Sequence, residues 1–187
     1  MRRWYQTIEI EGVDQSFEDI KRKDSKFWNE GKWNTFIEPL LPKERQTFLE
    51  IGCNAGLMLK QATEAGFKHV IGVEANNQII AQAKLFKESN GYDYQLVHGR
   101  AGRGFDIETI ALSDVVLFSN SHYYIPVGGF SKLVDALKYR TLYCIVVSAH
   151  TRSRSGKTFS DLGSIRGYFG DWEEVGLIDN VSIDGDP

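Results

Sequence analysis

The sequence predicts an α/β protein built on a doubly wound, mostly parallel β-sheet with helices on both faces. Short apolar runs rich in β-branched residues alternate with segments whose apolar residues repeat at helical spacing. The runs are apolar throughout instead of alternating with polar residues, which is typical of strands covered on both faces. Gly66 and the pair Asn90 and Gly91 end two of the helical segments, as expected at helix C-termini.

The predicted strands and helices follow one another along the chain. Strands are expected at 48–51, 69–73, 94–97, 115–118 and 142–148. Helices are expected at 57–65, 77–89 and 129–139. An aromatic and lysine-rich segment before the first strand is expected to form a helix that packs beside the sheet and stops at Pro42. Its aromatic and basic residues also suit a ligand pocket or a grip on single-stranded nucleic acid.

The chain is expected to form a single domain over residues 1–187, with 1–46 as an N-terminal helical or lid segment. Its 187 residues suit one hydrophobic core, and no internal repeat or linker-like tract divides them. The net charge of −3 gives no general attraction to nucleic acid or to an anionic membrane.

Cysteine usage and hydropathy predict a cytoplasmic protein with no membrane anchor. Cys53 and Cys144 lie in surroundings that suit small buried thiols, which favours a reduced, intracellular compartment. The N-terminus has no apolar signal-peptide core, and nowhere do 18 apolar residues run together. The histidines and cysteines show no zinc-ligand spacing, so no metal site is expected.

The first predicted strand runs into a turn of small residues, Gly52-Cys53-Asn54-Ala55-Gly56. Glycines at a sharp strand-to-helix turn tolerate positive φ and let backbone N–H groups approach a ligand. Asn54 stands between the two glycines, and asparagine is the non-glycine residue that best tolerates the left-handed region. The turn is therefore expected to close tightly around part of a ligand.

The spacing of this turn argues against two phosphate-binding motifs. A dinucleotide-binding turn reads G-x-G-x-x-G, whereas Gly56 comes two residues after Asn54 and Leu57 occupies the remaining glycine position. The chain also has no G-x-x-x-x-G-K-[ST] motif.

An acidic residue, Glu74, ends the second predicted strand 18 residues after Gly56. In such folds an acid at about this distance accepts hydrogen bonds from ribose hydroxyls. A solvated carboxylate at a strand end is the alternative. The turn and the acid together favour a nucleoside-binding site.

The stretches "FLEIGCNAG" and "VIGVEAN" resemble the turn and the second-strand acid of class I S-adenosylmethionine-dependent methyltransferases, and the likeness covers about 36–149. The resemblance implies a Rossmann-like fold and S-adenosylmethionine as cofactor. It implies that Glu50 helps to hold the amino group of the cofactor and that Glu74 binds its ribose. The turn would pass beneath the methionine part, and Ala75 and Asn76 would border the adenine. The implied cofactor residues are Glu50, Gly52, Asn54, Gly56, Glu74, Ala75, Asn76, Arg100, Ala101 and Ser119.

Within this family, "KWNTFIEPLL" and "FSNSHYY" are loosely similar to enzymes that modify the wobble uridine of transfer RNA, and to some small-molecule methyltransferases. The sequence departs from the family at "HGRAG", where Arg100 replaces an acid near the adenine amine. Arginine cannot accept a hydrogen bond from that amine. Either backbone carbonyls do so, or Arg100 faces an anionic cofactor or substrate, as a positive side chain does in wobble-uridine enzymes that use a carboxylated cofactor.

The second departure is at the C-terminal end of the sheet. The family's sheet ends in an antiparallel hairpin, whereas this sequence offers one strand at Gly176–Ile183, so the last antiparallel strand is expected to be missing. Either the chain is truncated or a partner chain, such as a second copy, supplies this edge, because an uncovered edge promotes aggregation.

The stretch "SNSHYY" follows the fourth predicted strand and is expected to face the acceptor, because substrates bind beyond the carboxyl ends of the strands. His122 is the candidate general base, and Tyr123 or Tyr124 is expected to orient the acceptor or stack on it. The alternative is a polar loop with one packed tyrosine.

Taken together, these features predict a methyltransferase that uses S-adenosylmethionine and acts on a small molecule or an RNA base. Two alternatives stay open. One is a non-catalytic, cofactor-binding partner subunit, and the other is an NAD-dependent oxidoreductase.

Overall fold

The structure, a computed structural model, describes residues 31–101, 113–147 and 162–178. The strands within these ranges are β1 (Thr47–Ile51), β2 (His69–Glu74), β3 (Gln95–His98), β4 (Ser113–Ser119) and β5 (Thr141–Val147). They form one sheet in the order β3-β2-β1-β4-β5, and every pairing between them is parallel. The predicted α/β fold is confirmed. The bounds of each predicted strand differ from those of an observed strand by at most two residues.

Four α-helices lie in the described ranges: α1 (Leu57–Glu64), α2 (Asn77–Ser89), α3 (Val127–Leu137) and α4 (Leu162–Tyr168). The bounds of α2 match the prediction. Helix α3 begins and ends two residues earlier than the sequence pattern indicated. Pro126 explains this shift, because its fixed φ suits the residue at a helix start and places Gly129 inside the first turn.

The segment before β1 is helical, although a regular helix reaching Pro42 was the wrong expectation. A π-helical turn, Trp33–Ile37, is followed by a short 3-10 helix, Glu38–Leu40. Pro39 has no backbone N–H to continue the hydrogen-bond ladder. The expected packing beside the sheet is confirmed, because Trp33 and Ile37 are buried in the core against Phe48.

Helices cover both faces of the sheet, as predicted. Successive residues of a strand point to opposite faces. Phe48 of β1 therefore joins the core formed with α1 and α2, whereas Leu49 joins the core formed with α3. Tyr168 of α4 packs against this second core.

The C-terminal part of the predicted architecture is described only in part. Residues 176–178 form neither helix nor strand, and the rest of the predicted strand Gly176–Ile183 lies outside the described residues. Among the described strands, β5 pairs only with β4, on one of its two edges. None of the helices in the described parts of the chain has the length and apolar character needed to cross a membrane. The division of the chain into one domain stays a prediction.

The middle of β2 has no room for a side chain at Gly72. A Cβ there would clash with Leu59 and come within 2.7 Å of Cys53 Sγ. We expect Gly72→Ala to lower the midpoint of thermal unfolding by roughly 3–10 °C, because overpacking a core costs about 1–3 kcal/mol. Gly128→Ala in α3 is the control, since no described atom lies within 4 Å of a Cβ at that position. Equal melting temperatures for the two variants would contradict this account of the packing.

Candidate active site

The candidate site lies at the carboxyl edge of the sheet, between β1 and β4. The chain proceeds from β1 to β2 and β3 on one side, and β4 and β5 lie on the other side. Such a reversal of strand order opens a crevice in which α/β proteins bind ligands. The turn after β1 and the loop after β4 therefore meet at this crevice.

The turn between β1 and α1 closes as the sequence predicted. Gly52, Asn54 and Gly56 all have positive φ, of 80°, 53° and 93°. Asn54 is therefore in the left-handed conformation, and its Oδ1 accepts a hydrogen bond from the Ala55 N–H at 2.8 Å. The Gly52 N–H donates to the Val73 carbonyl at 2.8 Å, which ties the turn to β2.

Glu74 at the end of β2 braces this turn. Only 8% of the residue is exposed, and its Oε2 accepts a hydrogen bond from the Asn54 N–H at 3.1 Å. Its Oε1 accepts another from the Asn76 N–H at 2.8 Å. Each carboxylate oxygen has a second lone pair, so Glu74 retains capacity for further donors. The sequence did not predict these two hydrogen bonds, and the ribose-binding role of Glu74 stays a prediction.

Glu50 of β1 is a buried acid at the base of the crevice. Only 1% of the residue is exposed, and Oε2 has no hydrogen-bond partner among the described residues. Burial raises the pKa of Glu50 to about 8, although the positive charge of Lys32 opposes the rise and the charge of Glu74 adds to it. A buried carboxyl without a partner is costly, so this position suits a ligand that brings a donor or a positive charge.

Lys32 is a site residue that sequence reasoning missed. Its Nζ donates a hydrogen bond to Ser119 Oγ at 3.3 Å, at the end of β4. Burial lowers the pKa of Lys32, and the charge of Glu50 opposes this shift. Lys32 and Ser119 are 87 residues apart, so no local pattern could pair them. The available signal was the aromatic and lysine-rich composition of the segment around Lys32, which suits a ligand pocket without identifying this lysine.

The loop after β4 forms a short 3-10 helix, His122–Tyr124, whose aromatic residues differ in exposure. His122 is fully buried, with its ring centroid 5.0 Å from that of Tyr123 and 6.3 Å from that of Phe130. Its role as general base stays a prediction, and burial weighs against it because a base must reach its acceptor. Tyr123 is also buried, whereas Tyr124 is 62% exposed and accessible to an acceptor.

The predicted adenine side of the site lies at the ends of β2 and β3. Ala75 is exposed, and its carbonyl oxygen lies 3.3 Å from His98 Nε2. Asn76 caps α2, because its side chain accepts hydrogen bonds from the N–H groups of Gln78 and Ile79 in the first turn of the helix. Ala101 is buried in the core, and Arg100 beside it is exposed. The roles of these residues toward a cofactor stay predictions.

Comparisons with known proteins bear on the fold of this site. No family model matches the chain. Over 75 residues it is 28% identical to a tRNA U34 carboxymethyltransferase of Shewanella sediminis, a segment that covers 40% of this chain and 22% of that protein. A protein with the same name from Shewanella halifaxensis is 27% identical over 75 residues. The match thus spans about a fifth of the length of these curated relatives.

Solved structures that are named methyltransferases or contain SAH superpose on most of the chain. The bifunctional kinase-methyltransferase WbdD gives a TM-score of 0.68 at 16% identity, over 100% of this chain and 42% of that chain. The N-terminal domain of EvdMO1 with SAH bound gives 0.61 at 14% identity, over 90% of this chain and 80% of that chain. Magnesium protoporphyrin IX methyltransferase from Synechocystis PCC 6803 with bound SAM gives 0.53 at 16% identity, over 77% and 62%.

The chain has the fold of class I methyltransferases. These structures confirm the resemblance at the level of the fold, and the two sequence stretches contain the turn and Glu74 of the crevice. Within the described ranges of this class I fold, no group of three His, Cys, Asp or Glu side chains is arranged to hold a metal ion.

The residues at the crevice of this class I fold fit S-adenosylmethionine. Its amino acid end carries an ammonium and a carboxylate, which match the buried carboxyl of Glu50 and the ammonium of Lys32. Its ribose offers hydroxyl donors to Glu74, which keeps free lone pairs. The turn at residues 52–56, which lies beside both acids, has no side chain larger than that of Asn54.

The raised pKa of Glu50 predicts a specific dependence of stability on pH. The ordinary pKa is 4.5 and the folded value is about 8, so between these values the folded state binds more protons than the unfolded state. The contribution of Glu50 to stability therefore falls as the pH rises from 5 to 8.5. We expect the melting temperature of Glu50→Gln, relative to that of the wild type, to be higher at pH 8.5 than at pH 5. Thermal unfolding of both proteins at the two pH values measures this difference.

Glu88→Gln on the exposed surface of α2 is the control for this comparison. Its difference from the wild type should stay constant between pH 5 and 8.5. A constant difference for Glu50→Gln as well would show that the Glu50 carboxyl titrates normally in the folded protein.

Proposed function

We propose that this chain binds S-adenosylmethionine and transfers its methyl group to an acceptor, either a small molecule or an RNA base. The observation that carries the proposal is the buried carboxyl of Glu50 beside the glycine turn, whose Oε2 lacks a hydrogen-bond partner among the described residues. Lys32 approaches the same place with the opposite charge. A zwitterionic amino acid is the ligand chemistry that satisfies both side chains.

The proposed reaction needs correct placement more than strong acid or base chemistry. The cofactor supplies an activated methyl group when it is bound. The chain then has to hold the acceptor in line with that group at near-contact distance. Glu50, Lys32 and Glu74 would fix the two ends of the cofactor, and exposed Tyr124 would contact the acceptor. A general base is required only for acceptors that must lose a proton, and His122 is the candidate for that role.

The comparisons favour methyl transfer over the oxidoreductase alternative, because the fold neighbours carry SAM or SAH or are named methyltransferases. The name of the two Shewanella relatives supports an RNA base as the acceptor class. Fold alone does not decide the acceptor. The small-molecule alternative therefore stays part of the proposal, as does a role for Arg100 in holding an anionic form of the cofactor.

A second copy of the chain at the edge of β5 also stays part of the proposal. The outer edge of β5 pairs with no other described strand, and Leu142 near its start is 73% exposed. Exposed strand edges promote association with another chain. Size-exclusion chromatography with light scattering tests this arrangement, and a strict monomer over a wide concentration range would exclude it.

Cofactor binding is the first test of the proposed function. We expect S-adenosylhomocysteine to bind in isothermal titration calorimetry and Glu74→Ala to weaken this binding at least tenfold, because the carboxylate both braces the turn and accepts ribose hydroxyls. Glu88→Ala is the matched control. If the wild-type protein binds NAD and not S-adenosylhomocysteine, the proposal is wrong and the oxidoreductase alternative is favoured.

The pH dependence of binding tests the role of Glu50. The ligand ammonium pairs with the ionised carboxylate, so affinity should rise as the pH passes through the pKa of about 8. We expect the dissociation constant of S-adenosylhomocysteine to fall about tenfold between pH 6.5 and 8.5. The same titration of Glu50→Gln should be flat. Equal slopes for the two proteins would place the ammonium elsewhere.

The acceptor class is tested with S-adenosylmethionine labelled in its methyl group. The protein is incubated in parallel with total transfer RNA and with a small-molecule extract, and label is counted in each. If the wild type transfers the label to one of the two fractions and Glu74→Ala does not, that fraction contains the acceptor and its class is identified. Cofactor binding without transfer to either fraction would instead favour the non-catalytic partner subunit.

A further inference from the structure

Ser121 lies where the loop after β4 meets the turn after β1. Its Oγ donates a hydrogen bond to the carbonyl of Ile51, the last residue of β1. Its Cβ lies so close to Gly52 that a Cβ added there would come within 2.6 Å of it. The space beside Gly52 is thus filled by Ser121, and a methyl group at position 52 would collide with it.

The loop that carries Ser121 is held at further points. Asn120 has a φ of 54°, and its N–H donates to the carbonyl of Val147 at the end of β5 at 2.9 Å. The Ser121 carbonyl accepts a hydrogen bond from the Tyr124 N–H at 3.0 Å, which closes the 3-10 helix. Ser121 therefore connects the aromatic helix His122–Tyr124 directly to the end of β1.

We propose that Ser121 is a positioning residue that fixes the acceptor-side loop against the cofactor turn, and that position 52 requires glycine because of this contact. The inference rests on the proposed function, because it assigns the turn to the cofactor and the loop to the acceptor. In-line transfer depends on the distance between these two parts, so a rigid contact between them has a direct catalytic value. Ser121 acts through the backbone and touches neither reactant.

A double-mutant cycle separates this contact from ordinary backbone strain. Gly52→Ala introduces both an alanine at positive φ and a collision between its Cβ and the side chain of Ser121. Ser121→Gly removes that side chain and therefore the collision. Gly66→Ala is the matched control, since its φ of 92° is similarly strained and no described atom lies within 4 Å of a Cβ there. The control should melt about 3 °C below the wild type.

We expect Gly52→Ala to melt well below Gly66→Ala, and the double variant Gly52→Ala with Ser121→Gly to recover to about the level of the control. Ser121→Gly should not rescue Gly66→Ala. Additive losses in the cycle would overturn the proposed contact. This cycle uses no ligand, so its result stands whether or not the chain binds S-adenosylhomocysteine.

Hydrogen exchange measured with and without S-adenosylhomocysteine tests the coupling itself. In the wild type, binding at the turn should also slow exchange of the loop amides at Asn120–Tyr124. Ser121→Gly should bind the ligand with less than a threefold loss of affinity and lose this protection of the loop. Equal protection in both proteins would overturn the coupling. If the wild type does not bind S-adenosylhomocysteine, the proposed function and the coupling between turn and loop are both refuted. The contact between Gly52 and Ser121 is then tested by the double-mutant cycle alone.

Discussion

The carboxyl edge of this sheet depends on one buried carboxylate, that of Glu74. Its two oxygens hold the N–H groups of Asn54 and Asn76, which belong to the turns after β1 and β2. Both hydrogen bonds are partly buried, and only 8% of Glu74 is exposed. One side chain therefore links the two turns, in addition to the backbone hydrogen bonds that Gly52 and Cys53 donate to the carbonyl of Val73.

Glu50, the second buried acid near the turn, has different surroundings from Glu74. Glu50 is buried, its Oε2 has no hydrogen-bond partner among the described residues, and Lys32 approaches from the segment before β1. A buried charge costs free energy unless it is paired, so this arrangement is stable only when a proton or a ligand satisfies the acid. The fold thus maintains an unfavourable group at the place where a ligand would relieve it.

Local sequence patterns predicted the strands, α2 and the left-handed Asn54, because these follow from apolar periodicity and from single-residue conformational preferences. They did not predict the contacts of Lys32 or Ser121. Each of these residues meets a partner 70 or more positions away, which only the strand order brings close. The burial of His122 was missed for a different reason: Phe130 of the next helix, α3, packs near a residue that looked like part of a polar loop.

The strand order also has a consequence for the folding rate. Pairing between β1 and β4 joins residues such as Thr47 and Asp114, which are 67 positions apart, at the centre of the sheet. Contacts this distant form slowly, because the entropy of closing the loop must be overcome before they stabilise the chain. The pairing of β1 with β2 spans far fewer residues and can form earlier. The crevice, which needs both pairings, would therefore be completed late in folding.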